Sequence, residues 1–367
     1  MCEPRNTVVC MGVLSSIGQL ARDAAARFTQ PLLPDDLLGT LNPLWSTTQP
    51  HARVVGLHRE TADTTTLLLR PGVRRPVHRA GQFVGVGVRV NGVWQWRTYS
   101  VTSRPGDEHL AVTVTAVPGG AVSGLLAHRT PVGALVRIGP PAGEFVLPEP
   151  TPEKLLFLAA GSGITPIMGM LRELHSTRPE TLDGAVVVHC DRTPADLVFG
   201  LELRAMAAST GMRLVERHTA LEGRLTGDAL TDDVPDWTAR QAWACGPAGL
   251  LDALTEQWDR HGDPDALHIE RFTPPTLAAD GATGGRVAFT TSGIDADAAP
   301  GEPLMAAGEA AGALLPSGCR MGICHTCVGT LRSGAVRDLR TGDLYDTPGE
   351  SVRTCVSGAA GDVEIEL

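Results

Sequence analysis

Lysine is all but missing. Lys154 is the only one among 31 basic residues, and every other is arginine. Aromatic residues make up 4% of the chain, with two tyrosines in all. No apolar run approaches the roughly 18 residues of a membrane span, and Leu155–Ala160 is typical of the longest stretches. No basic stretch precedes a long apolar segment at the N-terminus, so a secretory signal is not expected. Positive charge is not in excess either. The formal charge is −10, which argues against non-specific nucleic-acid binding. Internal repeats and low-complexity tracts are absent. What remains is globular in texture, with 43% hydrophobic and 20% charged residues. The 367 residues suggest two or three domains.

Eight cysteines need an explanation. Cys2, Cys10, Cys190 and Cys245 are scattered, whereas Cys319, Cys324, Cys327 and Cys355 cluster near the C-terminus. Without an export signal a disulfide framework is not expected, so the clustered thiols read as metal or redox ligands in a reducing cytoplasm. The spacing Cys319-x4-Cys324-x2-Cys327, with Cys355 28 residues later, is the plant-type [2Fe–2S] pattern. Gly318 and Gly322 are placed to supply the positive φ that a loop wrapping its amides toward sulfur needs. A four-cysteine zinc site is the competing reading, but structural zinc prefers two short knuckles and Cys355 stands alone.

The chain divides by texture. Residues 1–50 form an arm, with a candidate amphipathic helix over Val13–Phe28. Residues 51–150 contain six short strands, among them Gln82–Val90 and Val93–Val101 around the turn Asn91-Gly92. Such a set predicts a small antiparallel barrel. Residues 151–273 alternate strands with helices. The strands are Lys154–Ala160, Gly184–Cys190, Met212–Arg217, Gln241–Cys245 and Leu267–Glu270. Helices are predicted to Glu173, over Pro194–Ala208 and over Ala248–Trp258. That pattern predicts a parallel sheet covered on both faces. A Pro/Gly/Ala linker over 274–284 leads to a final domain, 285–367, with strands Arg286–Thr291 and Val363–Leu367 and a helix at Pro303–Leu314.

Two glycine-rich constellations precede the cysteines. Arg97-Thr98-Tyr99-Ser100 ends a barrel strand, and Gly119-Gly120-Ala121-Val122-Ser123 opens a short helix. An arginine can pair with a diphosphate, a tyrosine can lie against an isoalloxazine, and a small hydroxyl can bond near its N5. Gly161-Ser162-Gly163-Ile164-Thr165-Pro166 and Cys245-Gly246-Pro247 each join a strand to a helix, where glycines admit a pyrophosphate. Arg192 follows the second strand of that half and Arg217 and Arg224 end or follow the third, where a 2′-phosphate would sit; Asp191 beside Arg192 suits the 2′-hydroxyl of NADH instead. NADPH and NADH both stay open, with NADPH favoured. A nucleophilic role for Cys245 has no neighbouring histidine in the sequence to support it.

Together and in this order these motifs resemble the ferredoxin–NADP reductase superfamily, followed by a plant-type ferredoxin. Cys319–Cys327 is similar to the ferredoxin ligand loop, and Gly361–Leu367 to its last strand. The resemblance implies flavin contacts from Arg97, Thr98, Tyr99, Ser100, Gly120, Val122 and Ser123. It implies nicotinamide contacts from Gly161, Gly163, Thr165, Cys245, Gly246 and Pro247. Tyr99, Ser100, Thr165, Cys245 and Glu270 would surround the reacting atoms, and Cys319, Cys324, Cys327 and Cys355 would hold the cluster. The residues leave FAD and FMN open, and the resemblance favours FAD. The expected fold is thus a six-stranded flavin barrel, an α/β nucleotide domain and a β-grasp ferredoxin domain. The expected activity is an NAD(P)H-dependent reductase, passing a hydride to flavin and single electrons through [2Fe–2S] to a separate oxygenase, desaturase or P450. Direct reduction of a quinone, or a non-catalytic iron–sulfur sensor, are the alternatives. A cytoplasmic monomer without nucleic-acid partners is expected.

Overall fold

The computed structural model describes residues 41–46, 50–72, 76–90, 93–272, 282–318, 320, 322 and 326–367. The helix expected over Val13–Phe28, the Asn91-Gly92 turn, most of the linker, Cys319 and Cys324 fall outside these residues.

Six antiparallel strands make the first module: β1 (His51–Arg59), β2 (Thr64–Pro71), β3 (Phe83–Val90), β4 (Val93–Ser100), β5 (Leu110–Thr115) and β6 (Leu135–Ala142). Their order is β4-β3-β6-β1-β2-β5. A bridge between Val101 and Val112 links the continuation of β4 to β5 and closes the sheet on itself. Inward positions such as Val54, Leu67, Val84, Val112 and Ile138 fill the interior. Helix α1 (Ala121–His128) plugs one end through Val122 and Leu126. The end of the arm, a turn at Pro43–Trp45, passes over Gly72. A Cβ there would stand 2.0 Å from the Leu44 carbonyl oxygen.

The second module is a parallel sheet of β7 (Leu155–Ala160), β8 (Val186–Asp191), β9 (Arg213–His218), β10 (Gln241–Cys245) and β11 (Leu267–Glu270), ordered β11-β10-β7-β8-β9. Central strands such as Leu155-Leu156-Phe157-Leu158 are apolar on both faces because helices cover both. Helices α2 (Ile164–Thr177) and α3 (Gly200–Thr210) take one face. The short α4 (Thr219–Glu222) follows β9. Helices α5 (Gly227–Asp233) and α6 (Ala248–His261) take the other face, where Trp237 and Trp258 pack with ring centroids 4.4 Å apart. Strand order reverses between β7 and β10, so a crevice opens at their carboxyl ends. Lys154 sits at the opposite edge, just before β7, 3.7 Å from Asp236.

The third module begins with β12 (Gly285–Phe289), β13 (Ile294–Ala298) and helix α7 (Leu304–Ala310). It continues through β14 (Val328–Ser333), β15 (Val336–Asp338), β16 (Leu344–Tyr345), β17 (Ser351–Arg353), β18 (Ser357–Ala359) and β19 (Val363–Glu366). Its mixed sheet has the order β13-β12-β19-β14-β17, with β12 and β19 parallel, and packs on α7 through Leu304, Phe289 and Ile365. A three-stranded sheet, β16-β15-β18, stands beside it.

Several elements depart from expectation. Helix α3 starts at Gly200 instead of Pro194, because 194–199 turn and Phe199 is left-handed at φ 60°. Strand β13 was not expected from Ile-Asp-Ala-Asp-Ala, and α4 and α5 were not expected after β9. No helix among the described residues is long and apolar enough to cross a membrane.

Candidate active site

Strand alternation puts Arg97 and Tyr99 on one face of β4 and Thr98 and Ser100 on the other. Arg97 donates through Nη1 to the Trp96 carbonyl at 2.7 Å. Burial, reinforced by Arg320, pulls its guanidinium below the ordinary value. Burial pushes the Tyr99 phenol up, so the ring is neutral and packs at the rim of the barrel core. Ser100 is buried and its Oγ has no partner within the protein. A buried hydroxyl left unsatisfied costs about 1–3 kcal/mol, which a ligand atom would recover. At the start of α1, Gly119 is left-handed at φ 72° and the helix end carries no side-chain cap. Ser123 Oγ accepts from the Val117 N–H at 3.2 Å. A Cβ at Gly120 would stand 2.4 Å from that oxygen. The side chain of Val122 lies in the barrel core, which leaves its amide for an anion. An open hollow of about 760 Å³ beside this turn is lined by Asp63, Pro118, Gly119, His128, Arg129 and Arg192. An uncapped helix end, nearby arginines and an orphaned hydroxyl fit a flavin with a diphosphate.

The two βα turns of the nucleotide sheet meet at the strand-order reversal. A Cβ on Gly163 would stand 2.1 Å from the Cys245 carbonyl oxygen, so that glycine lets one turn pack on the other. Gly161 is left-handed at φ 54° with open space before it, and its backbone is the one a pyrophosphate could approach. Thr165 is buried and donates to the Ser162 carbonyl at 2.9 Å. Strand register sets Cys245 beside Glu270. Burial raises the carboxyl of Glu270 to about 8, so it holds its proton at neutral pH, and its Oε2 has no partner. Burial, with Glu270 behind it, also raises the Cys245 thiol well above the ordinary value. A reactive thiolate is therefore not what this position provides. A cleft of about 310 Å³ runs between Gly161, Ser162, Gly246, Pro247 and Phe272.

A neighbouring cleft of about 320 Å³ shares Gly161 and Pro247 and continues to Asp191, Arg192, Thr219 and Arg224. Arg217 is not in its lining. It donates to the carbonyls of Glu222 at 2.8 Å and Gly223 at 3.2 Å and lies 3.6 Å from Asp233. The expected trio is thus split: Arg192 and Arg224 face the cleft, and Arg217 braces the loop after β9. Burial raises the Asp191 carboxyl to about 6. Thr219, which nothing in the sequence singled out, reaches the cleft because α4 begins at the end of β9.

In the third module Cys327 and Cys355 lie in one buried cluster with Met305 and Val356. Thr354 ties their two segments together. Its N–H donates to the Cys327 carbonyl at 3.1 Å, and its Oγ to the same oxygen at 3.0 Å. Arg353 donates to the Gly322 carbonyl at 3.0 Å. Gly322 is left-handed at φ 73° as expected, but its left-handed companion in the loop is Arg320 at φ 58°, not Gly318. Two thiols in one buried apolar cluster, with a turning loop leading into Cys327 and held by Arg353, fit an iron–sulfur cluster.

Comparison with known proteins accounts for all three modules. Residues 58–147 match the model of an oxidoreductase FAD-binding domain, 157–256 an oxidoreductase NAD-binding domain, and 288–359 a 2Fe-2S iron-sulfur cluster binding domain. The chain is 47% identical to an NADPH oxidoreductase of Mycobacterium tuberculosis, over 94% of this chain and 92% of that protein. It is 30% identical to the reductase subunit of glycine betaine monooxygenase from Pseudomonas aeruginosa, over 89% and 98%. The solved structure of phthalate dioxygenase reductase shares the fold at a TM-score of 0.60 and 22% identity, covering 86% of this chain and 97% of that one.

Proposed function

This chain belongs to the ferredoxin–NADP reductase superfamily, in the branch that adds a plant-type [2Fe–2S] domain. It is an FAD- and iron–sulfur-dependent NAD(P)H oxidoreductase; from that premise we propose that its acceptor is a separate oxygenase, desaturase or P450. The observation that carries the proposal is the third module itself. A reductase serving a small two-electron acceptor needs no one-electron centre after the flavin, and this chain has a buried cysteine pocket built for one. The P. aeruginosa relative, a monooxygenase reductase subunit, points the same way. We place the chain in the cytoplasm as a monomer, with modules at 51–150, 151–273 and 285–367.

When bound, FAD supplies two-electron acceptance from NAD(P)H and one-electron delivery to the cluster, which carries electrons singly. The protein's part is to hold and exclude. Arg97 and the amides of Gly119–Val122 would neutralise the flavin diphosphate, with Thr98 and Ser123 bracing the strand and turn. Tyr99 would lie against the ring and Ser100 would bond its edge. Gly161, Gly246 and Pro247 would admit the nicotinamide pyrophosphate, while Gly163 keeps the two turns in contact. Thr165, Cys245 and protonated Glu270 would wall the nicotinamide in a pocket poor in water, and a neutral Glu270 adds a hydrogen bond there without repelling the transferred hydride. Arg192 and Arg224 would take a 2′-phosphate, which favours NADPH. Cys319, Cys324, Cys327 and Cys355 would ligate iron.

The test is a split of electron acceptors. Cys327→Ser should abolish reduction of cytochrome c by NADPH and leave more than half of the ferricyanide reduction drawn from the flavin. Equal loss of both, with normal flavin content, would remove the sequential route.

A further inference from the structure

The helix that begins at the nicotinamide turn also grips the flavin strand. At Gly169, α2 comes so near the barrel that a Cβ would stand 2.6 Å from the Val101 carbonyl oxygen. Three residues on, Arg172 donates through Nη1 to the Thr102 carbonyl at 2.6 Å. Its Nε and Nη2 donate to both carboxylate oxygens of Glu202 on α3, at 2.8 and 2.6 Å. The guanidinium lies over the ring of Phe199, 5.0 Å from its centroid, and Phe199 is the left-handed residue that starts α3. Val101 and Thr102 directly follow Tyr99 and Ser100. One side chain thus joins the end of the flavin strand, the helix of the nicotinamide turn and the next helix of the nucleotide sheet. Around it the modules part: a cleft of about 900 Å³ opens between the barrel and α2–α3, with Arg172 among its lining and none of the flavin or nicotinamide turns.

We propose that Arg172 is a positioning residue for hydride transfer, setting the spacing between the flavin strand and the nicotinamide turn. Arginine suits the task because its planar fork fixes three donors in one geometry, which a lysine ammonium does not. The two backbone elements it spans carry the two reacting partners, and Glu202 holds the fork rigid. Hydride transfer requires reacting atoms roughly 3–3.5 Å apart, and a shift of about 1 Å can cost about a hundredfold in rate. Arg172 stands out in the sequence only as the first charge after the apolar run Ile164–Leu171. The inference rests on the reading of the two turns given above.

The experiment is anaerobic stopped-flow reduction of the flavin in the holoprotein by NADPH. Arg172→Ala should slow bleaching roughly tenfold or more, with flavin content unchanged and the NADPH dissociation constant within about threefold of the parent. The long-wavelength charge-transfer absorbance of the nucleotide–flavin pair should weaken in parallel. Arg172→Lys should fall between, and Glu202→Gln, which leaves Arg172 in place but loosely held, should slow the same step less. Should Arg172→Ala not fold, the Lys and Gln variants decide. Bleaching at the parent rate in the variants, or a loss confined to nucleotide affinity, would overturn the inference. A parent protein that NADPH fails to bleach would overturn the functional reading itself, a distinct result.

Discussion

Glu270 is a carboxyl group with nowhere to put its charge. It is 9% exposed, faces a thiol, and its Oε2 meets no donor in the protein. Its proton is held to about 8 against an ordinary carboxyl value of 4.5. Between those values the folded protein binds a proton that the unfolded chain has released. Stability from this site is therefore full at low pH and falls as pH rises toward about 8. Glu270→Gln should flatten the decline in Tm between pH 6 and pH 9, measured by calorimetry of the holoprotein. Asp191 has the same sign with a window ending near 6, so it leaves the span above that to Glu270. His189 works in the opposite sense. It is fully buried and its imidazole is pulled down to about 4, so stability is lost as acid forces a proton onto it. A Glu270→Gln protein whose Tm falls with pH as steeply as the parent's would assign the decline elsewhere.

At the scale of elements, the two βα turns make one structural unit, and two glycines in the same motif do different work. Gly163→Ala puts a methyl group 2.1 Å from the Cys245 carbonyl oxygen, so backbone must move and the turns separate. A cost of about 1–3 kcal/mol is expected, as for overpacking in a core. Gly161→Ala meets no atom within 4 Å and pays only for a left-handed φ of 54°, about 1 kcal/mol. Denaturant melts of the two variants should rank in that order, and the reverse ranking would mean that the turns do not rely on their contact. The same region shows what the chain made legible. The strand Gln241–Cys245 is found where periodicity puts it, because a buried parallel strand is a short apolar run with a glycine or proline boundary. The half-buried edge strand Leu267–Glu270 shows instead by the alternation of Leu267 and Ile269 with polar residues. The strand Ile294–Ala298 hides because alanines and aspartates carry little strand preference, and its alternation only has meaning once β12 lies beside it. Helix α3 starts late because 194–199 turn and Phe199 is left-handed, and the Phe199 ring meets Arg172, a contact between residues far apart in sequence. Motif residues such as Ser100 and Cys355 are readable in order, whereas the brace at Arg217 depends on carbonyl groups that no side-chain pattern announces.

The whole molecule is unevenly charged. Residues 285–367 carry eleven carboxylates against six arginines, −5 of the chain's −10. Ion pairs to arginine take Asp295, Glu309, Asp338 and Glu366. The exposed Asp297, Asp343, Asp346, Asp362 and Glu364 lack such pairs among the described residues. An acceptor that presents a basic surface would be steered to this module by charge. Electron transfer to the acceptor should slow as ionic strength rises through roughly 0.05 to 0.5 M, where the Debye length drops below about 10 Å, while flavin reduction by NADPH changes little. A second-order rate independent of salt would reduce the acidity to a matter of solubility. The solitary lysine has a use at this scale too. Lys154 lies at the amino edge of a six-residue strand whose other end opens on Gly161, about 20 Å away at 3.3 Å per residue. Amine-directed chemistry therefore finds one side-chain handle, on the far side of the sheet from the nucleotide clefts. Coupled to an electrode or a bead through that amide bond, every molecule would present the clefts beside Gly161 outward in the same orientation.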